Sequence, residues 1–503
     1  MTVFTQETPP YFCNDSLINI DLGNNSLSNL SRSIITIDVD NKMEQLDVCH
    51  RSSLQVTNRT EGNLTTSLCD GGWMFQTDKR TVTTEWKLVC DKAWIKPVIT
   101  SVYLCGLLFG SVPSGILSDR FGRRPLFLWA TLVQFVSIFL AGFSVNVEMY
   151  AAMMFIMGVS GLINYQVAVL MASEITGPDY RALLTLATNL AYSLGYMILP
   201  LFAFLLPDWR WFMKVFGLTG ILYIPVYWLF PESPRWLLRQ ENKDEAIRMI
   251  RHIAKVNKMP IVKEISFMEP LNENDKDKEI KGENHFTYLD LFRTAAMRKR
   301  TLILCLAWMC VGAVYYAIGL NTSDLEGNLY VNCFISAAVE IPAYVLGTYI
   351  CEKLGRIPSM AVCFTLGGIT YGIVPLLRIF NETLALVSAM ISKLLITGLF
   401  MLVYMYTCEV YPTLLRHMGV GACSTVCRLG SMLVPYLIFA GNQIHHTIPY
   451  AVIGIFSIFV GFLCLLLPET KGRPVPGTME EALQFKRAAY CTTRKGGSQN
   501  IEL

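Results

Sequence analysis

Apolar residues in this chain come in long runs bounded by charged or turn-forming residues. Those before residue 231 cover 97–117, 126–144, 149–171, 182–205 and 212–230, and those after residue 300 cover 301–320, 330–350, 359–377, 384–407, 418–440 and 448–467. Each is close to the roughly 20 residues that an α-helix needs to cross a bilayer. Lipid cannot satisfy free backbone groups, so apolar runs of this length predict helices. Eleven spans are expected, five before the polar stretch 231–300 and six after it, with 1–96 and 468–503 outside the bundles.

Composition agrees, since 52% of the residues are hydrophobic, 16% are charged and the mean hydropathy is +0.40. Those values exclude a soluble globular protein and leave a polytopic membrane protein. The net charge of +3, from 42 basic and 39 acidic side chains, is too small to imply a nucleic-acid partner. The sequence has no Gly-rich loop ending in Lys-Ser/Thr and no His-Glu-x-x-His, so it offers neither an ATP site nor an enzymatic metal site. His445-His446 falls in a predicted loop and is read as incidental.

Where the charges sit sets the topology. Residues 1–96 carry 9 Lys/Arg against 12 Asp/Glu, while 231–300 carry 15 against 12 and end in Arg298-Lys299-Arg300. By the positive-inside rule the 231–300 loop, with its amphipathic helical pattern, is cytoplasmic and residues 1–96 are outside. The first 96 residues also hold four of the 15 cysteines (Cys13, Cys49, Cys69, Cys90) and five glycosylation sequons, at Asn14, Asn24, Asn29, Asn58 and Asn63. That reads as a glycosylated, disulfide-bonded ectodomain, with all three connectivities open. Threading the spans from there places Arg120, Arg123, Arg124, Lys353, Arg356 and the 468–503 tail inside, and the sequons at Asn321 and Asn381 outside. The expected location is the plasma membrane.

The chain repeats itself. Glu174–Arg181 (EITGPDYR) and Glu409–Arg416 (EVYPTLLR) both read Glu-x6-Arg. Gly122-Arg123 recurs as Gly355-Arg356, and Pro231-Glu232 recurs as Pro468-Glu469, each at nearly the same offset along the chain as the Glu-x6-Arg pair. Two copies of one helical unit are therefore joined by the 231–300 loop. The second copy has six spans before its closing Pro-Glu and the first has five, so a first helix of the usual twelve is expected to be missing.

These motifs resemble known ones. GILSDRFGRR (Gly115–Arg124) resembles the loop signature between the second and third helices of the major facilitator superfamily. PESPRWLL, the Cys-bounded N-terminal region ending TEWKLVCD, and EVYPTLLRHMGVG resemble the organic ion transporter family of solute carriers. NYQVAVL, YSLGYMILPLFAF, NLYVNCF through VEIPAYVL, and CSTVCRLGS are most similar to its organic cation/carnitine branch. The resemblance implies an all-α major facilitator fold working by alternating access. It further implies that Asp119, Arg123, Glu174, Arg181, Glu409 and Arg416 latch the two halves through ion pairs. The glycines Gly115 and Gly122 would serve close helix approach and a tight turn.

Charges inside spans are costly and informative. Away from its helix ends the first copy has none, whereas the second has Glu340, Lys393 and Arg428, a surplus of one positive charge. Glu340 and Lys393 read as a structural pair. Arg428 then remains to receive a carboxylate, which its planar fork suits. An arginine there also resembles the carnitine and organic anion branches rather than the cation branch. Tyr165, Tyr192, Tyr315 and Tyr404 match tyrosines of the carnitine branch, and their rings would hold an ammonium by cation–π attraction. Asn164 and Gln166 add polar contacts. No cofactor is expected. Glu409 matches a glutamate linked in that branch to sodium dependence, which implies sodium as coupling ion, and the other reading makes it a structural half of the repeated Glu/Arg pair. The expected substrate is a small organic zwitterion or cation such as carnitine or a related betaine. The alternatives are an organic anion exchanger and a truncated, non-transporting product.

Overall fold

The computed structural model describes residues 2–9, 11–13, 50–58, 61–68, 73–77, 79–177, 180–229, 231–240, 242–257, 288–322, 327–412, 415–472, 476 and 481–482. The chain divides into two compact units, one of residues 1–96 with 207–209 and one of 97–206 with 210–503.

The smaller unit contains two short helices, α1 (Thr2–Thr5) and α2 (Val82–Glu85), and two antiparallel ribbons. β1 (Tyr11–Cys13) pairs with β4 (Trp73–Phe75), and β2 (His50–Asn58) pairs with β3 (Glu61–Leu68). Thr81 caps α2 in a reciprocal capping box with Thr84. Trp209 Nε1 donates to Glu85 Oε2 at 2.8 Å, and the Trp209 ring packs on Trp86. Of the sequon asparagines, Asn58 ends β2 and Asn63 lies in β3, while Asn14, Asn24 and Asn29 fall outside the described residues. Cys13 ends β1, Cys90 is disulfide-bonded, and Cys49 and Cys69 fall outside the described residues.

The larger unit is helical. Its first half contains α3 (Ile95–Phe121), α4 (Arg123–Ala141), α5 (Val147–Ile175), α6 (Arg181–Leu205), α7 (Trp209–Leu218) and α8 (Ile224–Leu229). Two short helices follow, α9 (Pro234–Arg239) and α10 (Lys243–Val256), the second strongly amphipathic. The second half contains α11 (Ala295–Asn321), α12 (Leu329–Ala338), α13 (Glu340–Leu354), α14 (Arg356–Gly372), α15 (Val374–Phe380), α16 (Glu382–Val410), α17 (Arg416–Ile444) and α18 (Ile448–Cys464). Among the described residues eight helical segments are long and apolar enough to span a membrane, and a ninth arises if α14 and α15, bent by 42°, form one span. The predicted run 212–230 is interrupted by a 3-10 turn between α7 and α8, and α18 has only 17 residues. The run 330–350 breaks at Val339, which separates α12 from α13.

Small residues set the helix spacing. A Cβ on Gly106 or Gly158 would strike the backbone of the facing helix, α5 or α3. Gly430 likewise sits against Met309 and Gly312 against Cys427, which locks α17 onto α11. Gly115, expected to serve close approach, has no described atom within 4 Å of where a Cβ would stand, whereas Gly106 and Gly110, earlier on α3, make tight contacts.

Candidate functional site

The repeat reappears as two copies of one ion cluster. In the first, Arg123 Nε and Nη2 donate to Glu174 at 3.3 and 3.1 Å, and the backbone N–H groups of Arg123 and Arg124 donate to the Glu232 carboxylate at 3.1–3.3 Å. In the second, Arg356 Nε and Nη2 donate to Glu409 at 3.1 and 2.9 Å, and the N–H groups of Arg356 and Ile357 donate to Glu469 at 3.0 Å. A carboxylate thus caps the N-terminus of α4 and another that of α14, where the helix dipole favours negative charge. The turn before each helix needs a glycine, since Gly122 has φ +98° and Gly355 φ +99°. A Cβ there would also lie 2.8 Å from Glu232 Oε2 or 3.1 Å from Glu469 Oε2.

Glu174 and Glu409 pair with the arginines that open α4 and α14. Helix packing brings Arg123 of α4 to Glu174 of α5 and Arg356 of α14 to Glu409 of α16. Arg416 has Nε and Nη2 buried without a hydrogen-bond partner among the described residues. Arg181 opens α6, and its side chain is outside the described set. Asp119 pairs with Arg123 at 2.8 Å and Arg239 at 3.4 Å, so its partners lie in the first half and in α9. Glu232 and Glu469, missed as ligands, were signalled by the repeated Pro-Glu.

The second cluster joins the two halves. Lys393 on α16 and Glu340 at the start of α13 form an ion pair of 3.0 Å, with side chains 1% and 0% exposed. Tyr315 on α11 donates to Glu340 Oε1 at 2.7 Å, and its ring centroid is 3.5 Å from Lys393 Nζ. Ser193 on α6, from the first half, donates to Glu340 Oε2 at 3.2 Å. The break at Val339 places Glu340 at a helix N-terminus, a favourable end for its charge. Tyr192 and Tyr196 of α6 stand within electrostatic reach of the same carboxylate.

Around this pair runs a row of rings. Tyr316 contacts Tyr315, Tyr315 contacts Phe400, and Trp308 lies 5.7 Å from both Phe400 and Tyr404. Tyr404, Tyr192 and Tyr165 are about half exposed, and Tyr165 of the first half is within electrostatic reach of Tyr404 and Tyr344 of the second. Asn164 Nδ2 donates to Gln134 Oε1 at 2.8 Å, and Gln166 Oε1 accepts from Ser114, so both amides tie α5 to its neighbours.

Arg428 on α17 is partly buried, and its Nη1 donates to Ser424 O at 2.9 Å and to Ser424 Oγ. Among the described residues no carboxylate lies within ion-pair distance of it. Tyr316 is within its electrostatic reach. One turn on, Met432 O accepts from Ser101 Oγ of α3 at 3.0 Å, so this flank of α17 meets the first half. Both Glu409 oxygens accept from Arg356, and Thr470 Oγ1 donates to one of them at 2.5 Å.

Sequence similarity places the chain among known transporters. The family model for "Sugar (and other) transporter" matches residues 72–481. The human organic cation/carnitine transporter 2 is 39% identical over 84% of this chain and 76% of its own length. Solute carrier family 22 member 16 of Xenopus laevis is 30% identical over 98% of this chain and 90% of its own length. Among solved structures, the inward-open xylose transporter XylE of E. coli matches with a TM-score of 0.58 at 17% identity, over 79% of this chain and 91% of that one. The chain therefore belongs to the sugar (and other) transporter family of the major facilitator superfamily, among the family 22 solute carriers that include the organic cation/carnitine transporters, and is a multi-pass membrane transporter, not an enzyme.

Proposed function

We propose that the chain carries small organic zwitterions or cations, carnitine and related betaines first among them, by alternating access between its two helical halves. The observation that carries this reading is Arg428, a guanidinium on the flank that meets the first half, with no carboxylate partner among the described residues. A substrate carboxylate would complete its fork, while the rings of Tyr404, Tyr165, Tyr192 and Tyr315 would face the trimethylammonium end. Lys393 already neutralises Glu340, so a net positive site remains for the anionic end. Contacts such as Ser193 to Glu340 join the halves and would part as they rock.

We further infer eleven spans, a plasma-membrane location, an outside N-terminal region with sugars on Asn14, Asn24, Asn29, Asn58 and Asn63, and a cytoplasmic tail. The names of the human and Xenopus relatives and the charge asymmetry of the loops support this assignment. Glu409, the residue that suggests sodium coupling, binds Arg356 and Thr470, and the sodium dependence of uptake tests the coupling itself.

The test is uptake of labelled carnitine against a labelled dicarboxylate, with and without sodium. Arg428→Ala should abolish carnitine uptake, and Tyr404→Leu should impair it while Tyr404→Phe keeps it. A wild type that takes up dicarboxylate but not carnitine would replace this reading with an organic anion exchanger. Surface-expressed protein that moves neither would leave a non-transporting product.

A further inference from the structure

The basic run at the start of α11 divides by role. Arg300 is buried and donates from Nη1 to Ala482 O at 2.6 Å, which ties α11 to the tail. Arg293 pairs with Asp290 at 3.7 Å. Arg298 and Lys299 are exposed, and among the described residues no carboxylate lies within ion-pair distance of either. Both border a groove of about 440 Å³ between the first turns of α11 and the end of α18.

Apart from these two cations the groove is apolar. Leu302 and Leu306 form its wall on α11, and Leu463 and Leu466 form the wall at α18. The spacing 298, 299, 302, 306 sets the cations and the leucines on one stripe of α11, charge toward the helix start and hydrocarbon toward the span. On α18 the outer surface continues through Phe459, Phe462 and Leu465, each more than 40% exposed, as a bilayer-facing helix must.

We propose that this groove is a binding site for an anionic phospholipid. Its phosphate sits between Arg298 and Lys299, and the upper part of its acyl chains lies against Leu302, Leu306, Leu463 and Leu466. Charge complementarity selects the head group, and the continuous apolar floor requires a molecule with hydrocarbon attached to that phosphate. A free phosphate ion would use the cations and leave the leucines wet. A zwitterionic lipid would use the leucines and bring a choline to two uncompensated positive charges.

The test is native mass spectrometry of the full chain in mild detergent, titrated with phosphatidylglycerol or with phosphatidylcholine of the same acyl chains. The wild type should retain a phosphatidylglycerol adduct that phosphatidylcholine and millimolar inorganic phosphate fail to displace. Each cation removed should weaken binding roughly 5-fold, so Arg298→Gln/Lys299→Gln should lower apparent affinity about 25-fold. Leu302→Trp fills the groove at a position 52% exposed and should lose the adduct with both charges intact. The pair Arg248→Gln/Arg251→Gln removes two cations of α10 and should change nothing. Equal retention of the two lipids, displacement by phosphate, an adduct surviving in the Arg298/Lys299 variant, or an equal loss in the α10 variant would each overturn the assignment.

Discussion

Replacing Lys393 with methionine leaves the Glu340 carboxylate buried beside Tyr315 and Ser193 with its counter-charge gone. At 3.0 Å the pair attracts by about 5 kcal/mol at an effective dielectric constant near 20. Desolvation of both ions offsets most of that, so the intact pair adds little net stability. Removing one partner is a different matter, because the remaining charge keeps its desolvation cost, and about 3–5 kcal/mol is expected. Loss of the ammonium above the Tyr315 ring adds roughly 2 kcal/mol in a desolvated setting. Lys393→Met should therefore lower the unfolding temperature of purified protein by on the order of 5–10 °C, given how temperature shifts shrink with chain size. Glu340→Gln should cost a similar amount. The double variant Glu340→Gln/Lys393→Met should recover most of the loss, since the two costs describe one uncompensated charge. Size-exclusion thermal melts of the four proteins in one detergent complete the cycle. Additive losses, or a Lys393→Met protein as stable as wild type, would refute the claim that the two side chains neutralise each other in a dry interior.

The other expectations follow from single contacts. Gly122→Ala and Gly355→Ala each put a Cβ on left-handed backbone against a carboxylate, and each should cost about 1–2 kcal/mol or more in thermal stability, Gly122 more because its oxygen is closer. Gly158→Ala should impair folding, seen as lost monodisperse expression, because its Cβ meets the Tyr103 carbonyl, while Gly115→Ala should be silent. Glu409→Gln should lower the melting temperature by freeing Arg356, and the ratio of uptake with and without sodium should stay as in the wild type. Tyr315→Phe keeps the ring over Lys393 and loses the 2.7 Å bond to Glu340, so its stability should fall between wild type and Tyr315→Leu.

The apolar runs and the repeat were legible because both are one-dimensional facts: a bilayer fixes how long an apolar run must be, and a duplicated unit carries its motifs at a near-constant offset. Run lengths could not show the break at Val339 or the 3-10 turn between α7 and α8, because both lie inside runs long and apolar enough to read as one span. The ion partners were harder to read, since Glu174 and Glu409 pair with arginines 51 or 53 residues earlier, across a helix–helix contact that no local spacing marks. The repeat itself contained the answer: Arg123 and Arg356 keep the same offset as Gly122 and Gly355, and only a residue bound in both copies needs to recur in both.

That reasoning also separates scaffold from site. Gly122, Arg123, Glu174 and Glu232 each have a counterpart in Gly355, Arg356, Glu409 and Glu469, and every one of these eight touches its own cluster within one half. Glu340, Lys393 and Arg428 have no charged counterpart in the first copy, where the repeat offset leads to Cys105, Gly158 and Ser193 and to uncharged neighbours on either side of each. A cluster that each half needs for its own helix ends must be built twice, whereas a charge facing the seam between halves can be supplied once, from either side. The ionisable residues that break the repeat are therefore the ones at the seam, where Ser193 and Ser101 of the first half already reach the second. Moving the charge across should be tolerated better than moving a cluster: a protein with Ser193→Asp and Glu340→Ser keeps a carboxylate near Lys393 and should melt closer to wild type than Glu340→Ser alone, and a double variant no more stable than the single one would show that the seam accepts the charge from one half only.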